Sequence, residues 1–106
     1  MSGQPAHDGD ALELSFRGEI VYWRGPSPFL FVAVPEEGSA AIKAIASLVT
    51  YGWGVIPVEA RLGDTTWTTS LFPRDGRYLV PIKVVVQRAE LVGQGDTVDL
   101  ELVIRA

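Results

Sequence analysis

The chain has 106 residues, enough for one modest hydrophobic core and too few for two independent domains. Its formal charge of −4 argues against broad phosphate-driven binding of nucleic acid, which needs a basic footprint. Cysteine is absent, which excludes disulfides, thiolate nucleophiles and sulfur-ligated metals.

Residues 1–11, MSGQPAHDGDA, lack the basic start and apolar stretch of a secretory signal and read as a flexible tail. The only histidine, His7, lies in that tail, so residues 12–106, read as a single domain, contain no imidazole for a triad or a metal site. The longest apolar run, Phe29 to Val34, is too short to cross a bilayer. A soluble protein with no membrane contact is expected, and the missing cysteine fits a cytoplasmic one.

Leu12, Leu14 and Phe16 alternate with Glu13, Ser15 and Arg17, the period of a half-buried strand. Gly18 is expected to bend or bulge this strand before Glu19 to Trp23 continues it. The Gly25–Pro28 stretch predicts a turn, and FLFVAV after it is apolar on both faces, as in the centre of a sheet. A helix follows, with Glu36 and Glu37 near its start, Ser39 as expected N-cap, Ile42, Ile45, Leu48 and Val49 at helical spacing, and Gly52 at its end.

Ile56, Val58, Ala60 and Leu62 alternate with Pro57, Glu59 and Arg61, and Gly63-Asp64 then predicts a tight hairpin into a strand from Thr65 to Phe72. Pro73-Arg74-Asp75-Gly76 predicts a second reverse turn, and Tyr78 to Val80 a short strand. Pro81 suits the first position of a helix whose apolar face is Ile82, Val85, Val86 and Ala89, although Val84-Val85-Val86 suits a strand equally well. After Gly93-Gln94-Gly95-Asp96, Val98, Leu100, Leu102 and Ile104 alternate in a final strand.

The ordered set from Gly52 to Val103, GWGVIPVEARLGDTTWTTSLFPRDGRYLVPIKVVVQRAELVGQGDTVDLELV, resembles the small bacterial family called domain of unknown function 1905. Trp53, Ser70, Pro73, Gly76, Tyr78, Lys83, Arg88, Gly95 and Asp96 stand at matching places, and FLFVAVP followed by a helix also fits. The resemblance implies a mainly β fold, a small closed or double-split β-barrel of about six or seven strands with two short helices. It assigns Lys83 to Leu91 to helix, links the shape to swapped-hairpin antitoxin and regulator barrels, and brings no catalytic residues. Gln87 departs from it, since a second basic residue is common before Arg88.

The charge is unevenly spread. Between Arg61 and Arg88, Arg61, Arg74, Arg77, Lys83 and Arg88 face Asp64 and Asp75, five minus two or +3. Arg74, Arg77, Lys83 and Arg88 gather around a turn and a helix, a pattern suited to a carboxylate or phosphate. A solvated surface partly neutralised by Asp75 and Glu90 is the competing reading.

Among the aromatic residues Tyr22, Trp23, Tyr51, Trp53, Trp67 and Tyr78, Trp23 and Trp67 are expected in the core. Trp53, between two glycines, is the preferred ligand contact, with Tyr78 beside it. Ser70 and Thr68 have no histidine to activate them, and Asp64, Asp75 and Asp96 read as turn residues, so no catalytic group, metal or cofactor is expected.

The expectation is therefore an uncharacterised bacterial binding or interaction module, not an enzyme, for a small anionic ligand or a protein partner, acting as monomer or homodimer. Its site would be Arg74, Arg77, Lys83, Arg88, Trp53 and Tyr78. A swapped-hairpin DNA-binding or antitoxin-like dimer is the first alternative. The second is an enzyme acting on an acidic substrate through Lys83, Tyr78 and an arginine.

Overall fold

The computed structural model describes residues 11–24, 28–49 and 56–105, with the side chains of 24, 28, 29 and 46–49 set aside. The expected tail apart from Ala11, the tip of the turn at 25–27, the Gly52 cap, Tyr51 and Trp53 lie outside the described residues.

Seven strands and two helices follow the alternations and turns of the sequence. They are β1 (Ala11–Glu19), β2 (Val21–Arg24), β3 (Pro28–Ala33), α1 (Glu36–Val49), β4 (Ile56–Leu62), β5 (Thr65–Arg74), β6 (Arg77–Pro81), α2 (Val84–Glu90) and β7 (Thr97–Arg105). The strands pair antiparallel in the order β1-β7-β4-β5-β6-β3-β2 and form a half-barrel. The first and last strands of that order are separated in the chain by one residue, the fully buried Ile20. Its N–H donates to the Asp96 carbonyl and its carbonyl accepts from the Gly95 N–H, both at 2.8 Å, so the Gly93–Asp96 turn satisfies the backbone at the bend.

The inward positions of both sheet halves build one core, in which Ile20, Val32, Val34, Ile56, Leu71, Val80, Leu100, Leu102 and Ile104 are fully buried. Among the described residues, α1 contributes Ser39 and Ile42 and α2 contributes Val86 as side chains excluded from water. On the other face of the first sheet half, Arg17 pairs with Asp99, Arg61 with Glu101 and Arg105 with Glu59 across neighbouring strands. That surface is solvated and, with Glu13 and Glu19 exposed on the same face of β1, carries more acid than base.

Three local expectations are corrected. Gly18 makes no bulge: β1 runs through it in register with Val98, and its lack of a side chain is needed because an added Cβ would lie 2.6 Å from Val32 Cγ1. Ser39 is not the N-cap, since α1 already begins at Glu36; its hydroxyl donates to the Val34 carbonyl and accepts from the Tyr78 N–H, joining helix to sheet. Pro81 does not open α2. It ends β6 opposite Phe31, and the helix starts after Lys83, an extended residue. The valine run is helical, as the family pattern implied.

Candidate binding site

Two tight hairpins place the site. Gly63, with φ of 60°, opens the two-residue turn between Leu62 and Thr65, and Asp75 and Gly76, with φ of 52° and 81°, form the turn between Arg74 and Arg77. Residues flanking a two-residue turn exchange backbone hydrogen bonds, and bonding direction alternates along a strand. Thr65, Trp67, Thr69 and Leu71 therefore bond toward β4, whereas Phe72 and Arg74 bond toward β6. By the same alternation Thr66, Thr68 and Ser70 also turn their N–H and C=O groups to the β6 side, but β6 pairs only with residues 72–74.

The helix α2 covers part of this open edge. Lys83 Nζ donates to the Thr68 carbonyl at 2.9 Å, and at the other end the Thr65 hydroxyl donates to Glu90 Oε2. Gln87 Nε2 donates to the Ile82 carbonyl at 2.8 Å, fixing the entry to the helix. Beside the Lys83 bracket, at the Pro81 end of β6, a cleft of about 570 Å³ opens. Tyr22, Leu30, Phe31, Phe72, Pro81, Ile82 and Val84 line it with apolar surface, and Thr69, Lys83 and Gln87 bring polar groups. Tyr22, Phe72 and Val84 are 44%, 41% and 57% exposed, a large apolar exposure for three neighbours around one opening.

The six expected site residues do not share this cleft. Lys83 lines it. Arg74 lies with its guanidinium carbon 4.1 Å from the centre of the Trp23 ring and its Nε 3.7 Å from Asp75. Trp23 in turn packs at 5.7 Å against Phe31, so this stack adjoins the cleft. Arg77 Nε donates to the Val34 carbonyl at 2.9 Å and thereby ties the β5–β6 hairpin to the entrance of α1. Tyr78 is buried in the core, and Arg88 is exposed on α2. Trp53 lies outside the described residues.

The cleft's apolar wall was missed in the sequence. Phe72 carried a signal: Trp67, Thr69 and Leu71 share one face, so Phe72 must point to the other. Trp67 is in the core as expected, with its indole Nε1 buried and lacking an acceptor among the described residues; Trp23 is instead half-buried outside the core cluster. Among the described residues no three His, Cys, Asp or Glu side chains gather to hold a metal ion, and no helix is long and apolar enough to cross a membrane.

The fold and cleft define a small antiparallel half-barrel domain with a helix-braced strand edge. Residues 16–102 match the family model described as Domain of unknown function (DUF1905), and the chain belongs to that family. The match takes in both helices and every residue lining the cleft. None of the curated proteins matches the chain.

Proposed function

We propose that the protein is a non-enzymatic binding module whose ligand presents an apolar body to the cleft between α2, β3 and β5 and one anionic group to Lys83. The observation that carries this reading is the single ammonium at an apolar cleft of about 570 Å³, within the size range of small-ligand sites. An ammonium has three donors, and Lys83 uses one on Thr68, leaving two for a carboxylate, sulfonate or phosphate. The reading without catalysis is supported by the placement of Tyr78, which is absent from the cleft lining and so does not meet Lys83 there.

The test uses 8-anilinonaphthalene-1-sulfonate, an apolar monoanion, with its fluorescence titrated against the folded protein. Lys83→Gln is expected to weaken binding about tenfold, the size of a charge-assisted hydrogen bond. Val84→Glu, at an exposed position, is expected to abolish it, with urea midpoints showing that both variants fold. Unaltered dye affinity in both variants would refute the reading.

A further inference from the structure

We infer that the free edge of β1 is a dimer interface, on which a second copy of this chain adds its own β1 antiparallel, with the twofold axis passing beside Ser15. The inference stands apart from the binding reading, since no residue of β1 lines the cleft.

β1 ends the strand order and pairs with β7 alone. At its foot, the Ile20 N–H and C=O both bond on the β7 side, to Asp96 and Gly95. Bonding direction alternates along a strand, so Leu12, Leu14, Phe16 and Gly18 also bond toward β7, while Glu13, Ser15 and Arg17 turn their N–H and C=O groups the other way. On that other side the chain meets β3 from Val21 onward, and Val32 and Ala33 crowd Gly18. Then β3 leaves: the Val34 N–H donates to the Tyr78 carbonyl, and α1 begins at Glu36. The helix meets β1 from the inward face, where Gly38 packs beside the Leu14 side chain. Among the described residues no strand takes up the outward groups of Glu13, Ser15 and Arg17.

Edge strands are commonly guarded by proline, lysine or a bulge, and β1 has none of the three. Its charges select both the occupant and the register. In a twofold antiparallel pair, outward-bonding residues meet outward-bonding ones. Centring on Ser15 sets Glu13 opposite the partner's Arg17, and Arg17 opposite the partner's Glu13. Centring on Glu13 or Arg17 sets like charges face to face, centring on Phe16 sets Glu13 against Glu19, and centring on Leu14 offers Glu13 only a serine. Glu13 has no cation among the described residues, whereas Arg17 gives Nε and Nη2 to Asp99 and keeps Nη1 for a second carboxylate. The same register lays Leu14 against the partner's Phe16 on the inward face, in the closer, non-hydrogen-bonded kind of pair. Leu12, Leu14 and Phe16 point inward yet are only partly buried, so each copy supplies apolar cover that the end of the other's sheet lacks.

Sedimentation velocity across a wide concentration range tests this and is expected to show a monomer–dimer equilibrium. Glu13→Arg and Arg17→Glu each set like charges opposite at two places and should raise the dimer dissociation constant about tenfold. Mixed in equal amounts, the two variants should pair with each other about as tightly as the parent does with itself, because every arginine then meets a glutamate. Ser15→Pro deletes the central outward N–H on an edge that tolerates proline and should abolish the dimer, with the urea midpoint of dilute protein close to the parent's. In the parent, hydrogen exchange at the Glu13, Ser15 and Arg17 amides should slow as concentration rises. A monomer at every concentration overturns the inference, whether those amides exchange freely or are covered by another part of the same chain. A dimer that tolerates all three variants overturns it too, as does a mixture of the charge variants that pairs no better than either alone.

Discussion

The Ser39 hydroxyl accepts the main-chain N–H of Tyr78 at 3.2 Å while donating to the Val34 carbonyl at 3.1 Å, in a setting excluded from water. Val34 has a second donor in Arg77 Nε, but among the described residues Tyr78 N–H has no other partner. Ser39→Ala therefore orphans one buried donor, which costs about 1–3 kcal/mol. Urea denaturation should show a lowered midpoint with an unchanged slope, and the loss should exceed that of Ala40→Ser, an exposed position one residue away.

Gly18 and Val32 are in closer contact than any side chain at residue 18 permits, with 2.6 Å between an added Cβ and Val32 Cγ1. Overpacking of this kind costs about 1–3 kcal/mol. Gly18→Ala is expected to destabilise by that amount in the parent and by clearly less in a Val32→Ala background, giving a non-zero coupling in a double-mutant cycle. Strictly additive effects would show that β1 and β3 do not pack as described.

The indole Nε1 of Trp67 is buried without an acceptor among the described residues. Desolvating such a donor costs about 1–3 kcal/mol, so Trp67→Phe removes a penalty along with some apolar area. Its stability should stay within about 1 kcal/mol of the parent, whereas Trp67→Ala, which leaves a cavity, should cost about 3–5 kcal/mol. Thermal unfolding of the two variants measures the contrast.

Asp99 titrates below the ordinary aspartate range because Arg17 donates hydrogen bonds to its carboxylate and adds its charge. A carboxyl group with a lowered folded pKa adds stability above its unfolded value, about 3.9, and loses that stability as pH falls through the folded value. Both groups are fully exposed, so the contribution is small and screened by salt. Carboxyl NMR titration should place Asp99 below the ordinary value in the parent and return it there in Arg17→Ala.

Most strands were legible because their inward and outward residues differ in chemistry: Ile56, Val58, Ala60 and Leu62 are buried, while Pro57 and Arg61 are exposed. The hairpin at Gly63-Asp64 and the turn ending in Asp75-Gly76 were legible because few residues adopt positive φ. The start of α1 was misplaced because serine caps helices well, and its actual partners, Val34 and Tyr78, include one that is distant in sequence. Pro81 misled for a related reason: its pairing with Phe31 belongs to the tertiary fold, and local preference for a helix start could not reveal it.

The site was less legible than the fold. Arg74, Arg77, Lys83 and Arg88 are neighbours in sequence, yet Arg77 is recruited by the Val34 carbonyl, Arg74 by Trp23, and only Lys83 reaches the cleft. The cleft wall comes from β2, β3, β5, β6 and α2, elements whose mutual approach depends on strand order. In β3 both faces are apolar, so Phe31 could not be told from core residues such as Val32 by pattern alone.

The position of β7 sets the timing of assembly during synthesis. It lies between β1 and β4, so Leu12 must wait for Ile104, 104 minus 12 or 92 positions later, before its strand has a partner. Until the ribosome has released Thr97–Arg105, the first nine-residue strand and the outer edge of β4 remain uncovered. Pairings this remote close slowly. The nascent chain consequently presents two bare strand edges to chaperones and to other nascent chains until β7 has emerged.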